Sequence, residues 1–202
     1  RGTIASNGAL NLTATNATLD TATTTASQVT INTSTLSHQG GNLIQTGRGP
    51  ATITTSNQLD NTDGTIASGG NTTLTVGALK NQRGAIQAVG VMPSQLTVAA
   101  TGRVDNSNAG AIMANGNITV TAASVHNSQG QITASQALST STTQTTDNTR
   151  GVIAANGQVS VSAAQVTNQN GTIGSVQEAV NVTAQAGTLN NTAGRIEAAK
   201  TV

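Results

Sequence analysis

A glycine followed two positions later by an apolar side chain returns about every 21 residues along the 202-residue chain, the spacing of a stacked repeat. It stands at Gly2-Thr-Ile4, Gly41-Asn-Leu43, Gly64-Thr-Ile66, Gly84-Ala-Ile86, Gly110-Ala-Ile112, Gly130-Gln-Ile132, Gly151-Val-Ile153, Gly171-Thr-Ile173 and Gly194-Arg-Ile196. A degenerate copy at Thr21-Ala22-Thr23 fills the gap between the first two. Repeats of this length built from strand-like pieces cannot bury a face alone, so they stack into a solenoid.

Composition agrees. The chain has no Phe, Tyr, Trp or Cys and only 7% charged residues. An ordinary globule draws much of its core from aromatic rings, and charged disorder needs far more charge than this. The formal net charge is +1, the basic residues are scattered, and no aromatic is present to stack a base, which argues against nucleic-acid binding. No apolar run reaches the ~18 residues of a membrane-spanning helix. No signal peptide is recognisable, and the chain reads from 1 to 202 as one continuous segment, a slice of something longer.

Aligned on the glycine, each unit has three parts. The first is Gly-x-Ile-x-Ala, followed by a turn such as Ser68-Gly69-Gly70-Asn71 or Asn115-Gly116-Asn117, where Gly and Asn are expected to supply a positive φ. The second alternates strictly: Leu10-x-Leu12, Val29-x-Ile31, Leu74-x-Val76, Leu96-x-Val98, Ile118-x-Val120, Val159-x-Val161 and Val180-x-Val182. Period-two alternation means one buried and one wet face. The third is Leu/Val-x-Asn, ending at Asn61, Asn81, Asn106, Asn127, Asn168 and Asn191, with weaker copies at Leu36-Ser-His38 and Thr146-Asp-Asn148. Three strands per coil predict a three-sided parallel β-helix of about ten coils, with a rise of ~4.8 Å each and a length of roughly 43 Å. The column Asn61, Asn81, Asn106, Asn127, Asn148, Asn168 and Asn191 is expected to form a structural amide ladder.

The unit L-x-N-x-x-G-x-I-x-A-x-G-x-L-x-L-x-A, clearest from Leu59 to Val76 and from Val104 to Val120, resembles the filamentous-haemagglutinin repeat of large bacterial exoproteins. Those include haemagglutinin adhesins and contact-dependent growth-inhibition exoproteins, secreted by the two-partner route. The resemblance implies a right-handed β-helix, export through an outer-membrane transporter that acts on a domain absent here, and display on the bacterial surface or release from it. The pattern weakens at residues 12–38 and 138–148, where Thr replaces aliphatics, so those coils are expected to be thinner, frayed or locally different.

Several groups merit a chemical reading. Asp60, Lys80, Asp105, His126 and Asp147 recur at one outward position. Carboxylates beside basic groups on one face could form the groove of a polysaccharide-degrading β-helix enzyme. A surface ladder that avoids like-charge stacking is the simpler reading. Asp63 and Arg83 are expected to pair on the surface. His38 and His126 lie four coils apart and cannot share a metal, and no cofactor is called for. The insertion at residues 89–94 carries an apolar tip, Val91, Met92 and Pro93, a candidate partner-binding loop. The Gly47-Arg-Gly-Pro50 turn is a second candidate. Thr13, Thr30, Thr75, Thr97 and Thr119 suggest an outward Thr column, and Thr73-Leu-Thr75 a double rank of the kind that orders water or ice. The expectation is a non-enzymatic stalk that presents a distal functional region. Direct receptor or cell adhesion through the β-helix face or the 89–94 loop is the alternative.

Overall fold

A segment that alternates inward and outward side chains can bury its inward half only under a neighbouring coil. The computed structural model describes residues 2–198, all strand, turn or loop, with no helix among the described residues. Ten short strands form the first face: Thr3–Ala5, Thr23–Ala26, Asn42–Gln45, Thr65–Ser68, Ala85–Ala88, Ala111–Ala114, Gln131–Ala134, Val152–Ala155, Thr172–Ser175 and Arg195–Glu197. They stack in chain order, each parallel to the next. One rung follows another after 19 to 26 residues, the extremes being the steps from Thr23 to Asn42 and from Ala85 to Ala111. Ala22 and Thr24 stand at the glycine and isoleucine positions of the degenerate coil.

The expected second and third segments belong to one sheet that turns a corner. In six coils they are a single bent strand: Ala9–Thr18, Gln28–Ser37, Ala51–Asp60, Thr72–Lys80, Val159–Thr167 and Val180–Asn190. In three coils the bend breaks the strand, giving Leu96–Ala100 with Arg103–Asp105, Ile118–Ala122 with Ser124–His126, and Leu138–Thr142 with Thr145–Asp147. Register slips fall at the bend, between Thr33 and Thr35 and between Ala163 and Gln165. The chain is a parallel β-solenoid.

Its core is a set of columns. Ile66, Ile86, Ile112, Ile132, Ile153 and Ile173 lie one above another inside the first face. Leu36, Leu59, Leu79, Val104, Val125, Thr146 and Val166 do the same inside the third segment. Each buried aliphatic contributes about 1.5–3 kcal/mol through the area its neighbours cover.

Three expectations change. First, Leu74 aligns with Ile53 and Val98, not with Leu96, so Leu74-x-Val76 sits two residues further along its rung than its alternation suggests. A slip of two keeps the same face inward, so the hydrophobic pattern cannot detect it. Second, the Thr-rich coils are neither thin nor frayed. Thr24, Thr33, Thr140, Thr142 and Thr146 are buried in the core and paired with the adjacent strands, because Thr is close to Val in shape. The cost is polar: the Oγ1 atoms of Thr24, Thr33, Thr55 and Thr140 are buried without a partner, while Thr142 and Thr146 satisfy each other at 3.1 Å. Third, no residue of the turns at 68–71 or 115–117 has a positive φ. The glycines there avoid collision instead. A Cβ on Gly70 would lie 2.2 Å from the Gly49 carbonyl oxygen of the coil before it.

Thr140 lies between Val120 and Val161. Replacing it with the isosteric Val removes an unpaired hydroxyl without opening a cavity. Thr140→Val is expected to stabilise the protein by about 1–2 kcal/mol, read as a higher denaturation midpoint. An unchanged or lower midpoint would show that the hydroxyl is satisfied.

Candidate functional site

The turn that closes each coil is where the sequence concentrates its amides and its charges. In the turn Asn61-Thr62-Asp63-Gly64, the Gly64 N–H donates to the Asn61 carbonyl at 3.0 Å. The residue before the glycine is left-handed in nearly every coil, with Asp63, Arg83, Gln129, Arg150 and Asn170 at φ between 53° and 60°. A non-glycine there costs about 1–2 kcal/mol. The N–H of Asp63 is held by the next coil's Gln82 carbonyl at 3.0 Å, so the stack enforces the conformation. The repeat glycine that follows is required by contact. A Cβ on Gly84 would lie 2.2 Å from the Asn61 carbonyl oxygen and 2.6 Å from Asn81 Oδ1.

Inside this turn the asparagine side chains run head to tail. Asn61 Nδ2 donates to Asn81 Oδ1, and the same 2.7 Å bond recurs from Asn81 to Asn106, Asn106 to Asn127, Asn127 to Asn148, Asn148 to Asn168 and Asn168 to Asn191. Each amide also faces backbone carbonyls: Asn127 Nδ2 lies 3.2 Å from Gly130 O and 3.1 Å from Val152 O. Those carbonyls fix the orientation of every amide, since only the NH₂ end can face them. Asn61, Asn81, Asn106, Asn127, Asn148 and Asn168 are fully buried.

His38 occupies the same column. Its register partners place it beside Asn61, and its Nδ1 lies 2.7 Å from Asn61 Oδ1. It therefore acts as the donor at the head of the ladder, with the proton on Nδ1. Its Nε2 sits where an asparagine oxygen would be, next to Gly41 and the Leu19 carbonyl. The coil before has Leu19 in the ladder position, so no amide reaches Nε2, and that buried atom has no partner. Burial lowers the His38 pKa below its ordinary 6.5, against smaller upward pulls from the Asn61 hydrogen bond and the Asp20 carboxylate. The sequence hint was faint: a histidine two residues after an inward leucine and three before the repeat glycine.

The outward column aligns as Ser37, Asp60, Lys80, Asp105, His126, Asp147 and Thr167. Its carboxylates are less free than an exposed ladder implies. Asp60 Oδ1 accepts Thr62 N–H at 3.1 Å and Thr62 Oγ1–H at 2.6 Å. Asp105 does the same with Ser107, and Asp147 with Thr149. One oxygen of each Asp thus holds its own turn, while the other meets Lys80 of the next coil at Asp60, Arg103 of its own coil and Gln82 of the preceding one at Asp105, and His126 of the preceding coil at Asp147. Lys80 lies 3.6 Å from Asp60, Arg103 3.1 Å from Asp105, and His126 Nε2 3.2 Å from Asp147. His126 Nδ1 lies 3.8 Å from Asp105 and also contacts Arg103. A shallow groove runs past Arg103, Ser124, His126, Thr145 and Asp147. Asp63 and Arg83 form a two-bond pair at 2.7 and 2.8 Å. The Arg83 guanidinium holds the Asp63 carboxyl below its usual range.

The insertion leaves the corner after Ala88. Val91 is 85% and Met92 66% exposed. Its base is tied down: Ser94 N–H donates to Asn115 Oδ1 at 2.7 Å, Asn115 Nδ2 donates to the Gly90 carbonyl, and Gln95 N–H donates to Asn71 Oδ1 at 2.9 Å. Val89 lines a groove with Met113 and Thr133 of the first face. At the other candidate turn Arg48 is exposed, while the buried Gln45 side chain accepts Val29 N–H at 2.9 Å and donates to Gly49 O at 2.6 Å.

The suggested Thr column resolves into two outward ranks on the second segment. Thr30, Thr52, Thr73, Thr97, Thr119, Ser139 and Ser160 form one, and Thr13, Asn32, Thr54, Thr75, Ala99, Thr121, Ser141 and Ser162 the other. Thr13 and Thr75 therefore belong to a different rank from Thr30, Thr97 and Thr119. A Thr in both ranks occurs in three coils: Thr52 with Thr54, Thr73 with Thr75, and Thr119 with Thr121.

The coil length, the Asn-x-x-Gly turn and the parallel stacking coincide with a known repeat: the chain matches the haemagglutinin repeat at residues 1–63, 48–92, 95–149 and 138–202. The chain belongs to the haemagglutinin-repeat family. No curated protein and no solved structure matches it. A haemagglutinin-repeat solenoid fits a structural, non-enzymatic protein of the filamentous adhesin type, and such repeats are generally found in secreted or cell-surface proteins.

Two outcomes are expected from the ladder. Asn127→Ala removes three donated contacts, takes one acceptor from the Asn106 NH₂ and leaves the Asn148 oxygen without its amide donor, which should cost about 3 kcal/mol in a denaturant titration. A loss no larger than that of an exposed Asn→Ala would contradict a load shared along the column. For His38, the folded pKa is below the unfolded one, so the unfolded chain takes up the proton first as pH falls. Stability is full above about pH 6.5 and declines below it, down to the lowered pKa. His38→Asn should flatten that decline below about pH 6.5. An equal decline in both proteins would place the acid sensitivity elsewhere.

Proposed function

We propose that the chain is a stalk segment, a continuous β-helical slice of a longer secreted or surface-tethered exoprotein, whose role is to hold a distal adhesive or toxic region away from the cell. The observation that carries this reading is the unbroken register of ten first-face rungs, with the amide column threading the turns from coil to coil. Parallel ladders and like-on-like columns give every coil the same support on both sides, which favours stiffness over local change. The haemagglutinin repeat supports an exoprotein that leaves through an outer-membrane two-partner-secretion transporter, recognised by a domain outside this chain. Adhesin and contact-dependent growth-inhibition parents both fit.

A second reading is favoured by one observation, the exposed apolar tip at Val91, Met92 and Pro93 on a loop whose base is fixed. Three apolar side chains held out on a rigid corner could contact a cell-surface receptor with little ordering cost.

Binding of the purified protein to bacterial and host cells, beside a version lacking residues 89–94, separates the two. The stalk reading expects neither to bind above background. Binding by the intact protein alone would overturn it in favour of the loop. Equal binding by both would place adhesion on the β-helix face.

A further inference from the structure

The second segment of the coils presents a surface that neither reading uses. Its two outward ranks consist of small side chains, Thr and Ser with some Asn and one Ala, and they carry no charge, no aromatic ring and no proline. The charged side chains gather on the third segment and its turn, with Arg195 and Glu197 on the last first-face strand and Arg48 and Glu178 at the corners leading into the uncharged face. Thr75, Thr119 and Thr121 are exposed, while Thr52, Thr73 and Thr97 are half-buried by their neighbours.

Two properties of this face point to one occupant. Charge is what normally keeps an open sheet surface solvated and apart from its like, and with a formal net charge of +1 the molecule has little long-range self-repulsion. The side chains also recur at the rung spacing of ~4.8 Å, and a second copy carries the same spacing. Small β-branched rows of equal pitch can interdigitate along the whole rod, as mated sheets do in dry interfaces. Nine rungs and about five residues of width offer roughly 1,200 Å² between two copies, the lower bound for a stable specific interface. Val89, the first residue of the 89–94 loop, lines a groove with Met113 and Thr133 on the first face. A water or ice lattice asks for unbroken paired Thr ranks. Here the coil of Thr97 and Ala99 interrupts them, and serines replace them beyond Thr121.

We propose that the uncharged second face is a self-association surface on which a second copy of this chain docks side by side through its own second face. The contact is isologous, and it holds whether the rod serves as a stalk or as an adhesin.

Sedimentation equilibrium of the purified chain across a concentration series tests it. The expected result is a monomer–dimer equilibrium with a Kd on the order of 10 μM, as suits an interface of the smallest specific size. Thr75→Lys with Thr119→Lys places charge in the centre of the face and should weaken the dimer at least tenfold. Thr119→Ser, small and uncharged, should leave it intact, as should Thr167→Lys beside Asp147 on the charged side. Circular dichroism checks that each variant keeps its strands. A monomer at every concentration overturns the proposal. So does a dimer that survives the double lysine variant, or open-ended growth indifferent to it, which would assign association to the ends of the rod.

Discussion

The close approach of successive turns at the Asn-x-x-Gly unit is the constraint on which the rest of the solenoid depends. Three features there depend on one another, and in some coils a fourth reinforces them. The asparagine amide bonds to the amide of the next coil, and reaching it brings the repeat glycine within 2.2 Å of a carbonyl oxygen, by the position a Cβ would take. That excludes any side chain at the glycine. The residue before it is forced left-handed, at a cost that the neighbouring coil's backbone bond offsets. Where the outward residue is Asp, as at Asp60 and Asp147, it stands three residues before the left-handed position and braces the turn through one carboxylate oxygen. Because every amide donates toward higher residue numbers, the column has a direction, with aligned dipoles that strengthen one another in a low-dielectric interior. Its head is His38, whose Nε2 stays without a donor because Leu19 ends the column.

Much of this was legible in the sequence because stacked repeats write the same constraint many times. The period, the inward columns, the asparagine column and the order of the outward charges all follow from aligning one coil on the next. What escaped was what a period-two pattern cannot encode. The shift of Leu74 by two residues preserves its face, so only the backbone pairing reveals it. The Thr ranks were misassigned for the same reason. Threonine is also ambiguous in a strand. At Thr24 and Thr140 it is core, while at Thr75 and Thr119 it is surface, and the distinction rests on register alone. Likewise the glycines of the first corner looked like left-handed turn residues, whereas they serve the close passage of one coil over another.

The charged column shows how scaffold chemistry can imitate a site. Asp105, His126 and Asp147 with Arg103 nearby would read as an acid–base cluster in a globular cleft. Here each aspartate is committed on one oxygen to its own turn, and the remaining oxygen meets an opposite charge or the imidazole of the adjacent coil. The alternation of sign follows from the stacking distance: like charges about 4.8 Å apart would repel along the whole column. Pairs this exposed contribute only ~0–1 kcal/mol each, so the column is better understood as avoiding a penalty than as supplying stability.

The longest coil shows where such a fold accepts novelty. Between Ala85 and Ala111 the step is 26 residues, yet Ile86 still lies on Ile112 and Leu74 on Val98. Most of the extra residues leave the coil at one corner, with one more at the bend and one in the Asn106 turn, and Asn71 and Asn115, from the coils on either side, take the backbone N–H groups of Gln95 and Ser94 at the base of that corner. Loop-closure entropy rises slowly with length, while a missing ladder bond or a filled glycine is felt at once. Variation is therefore cheap at the corners and costly in the turns. A rod built this way can acquire a binding loop without changing its pitch, and for that reason a corner, rather than the amide turn, is where a contact specific to one member of the family should be sought.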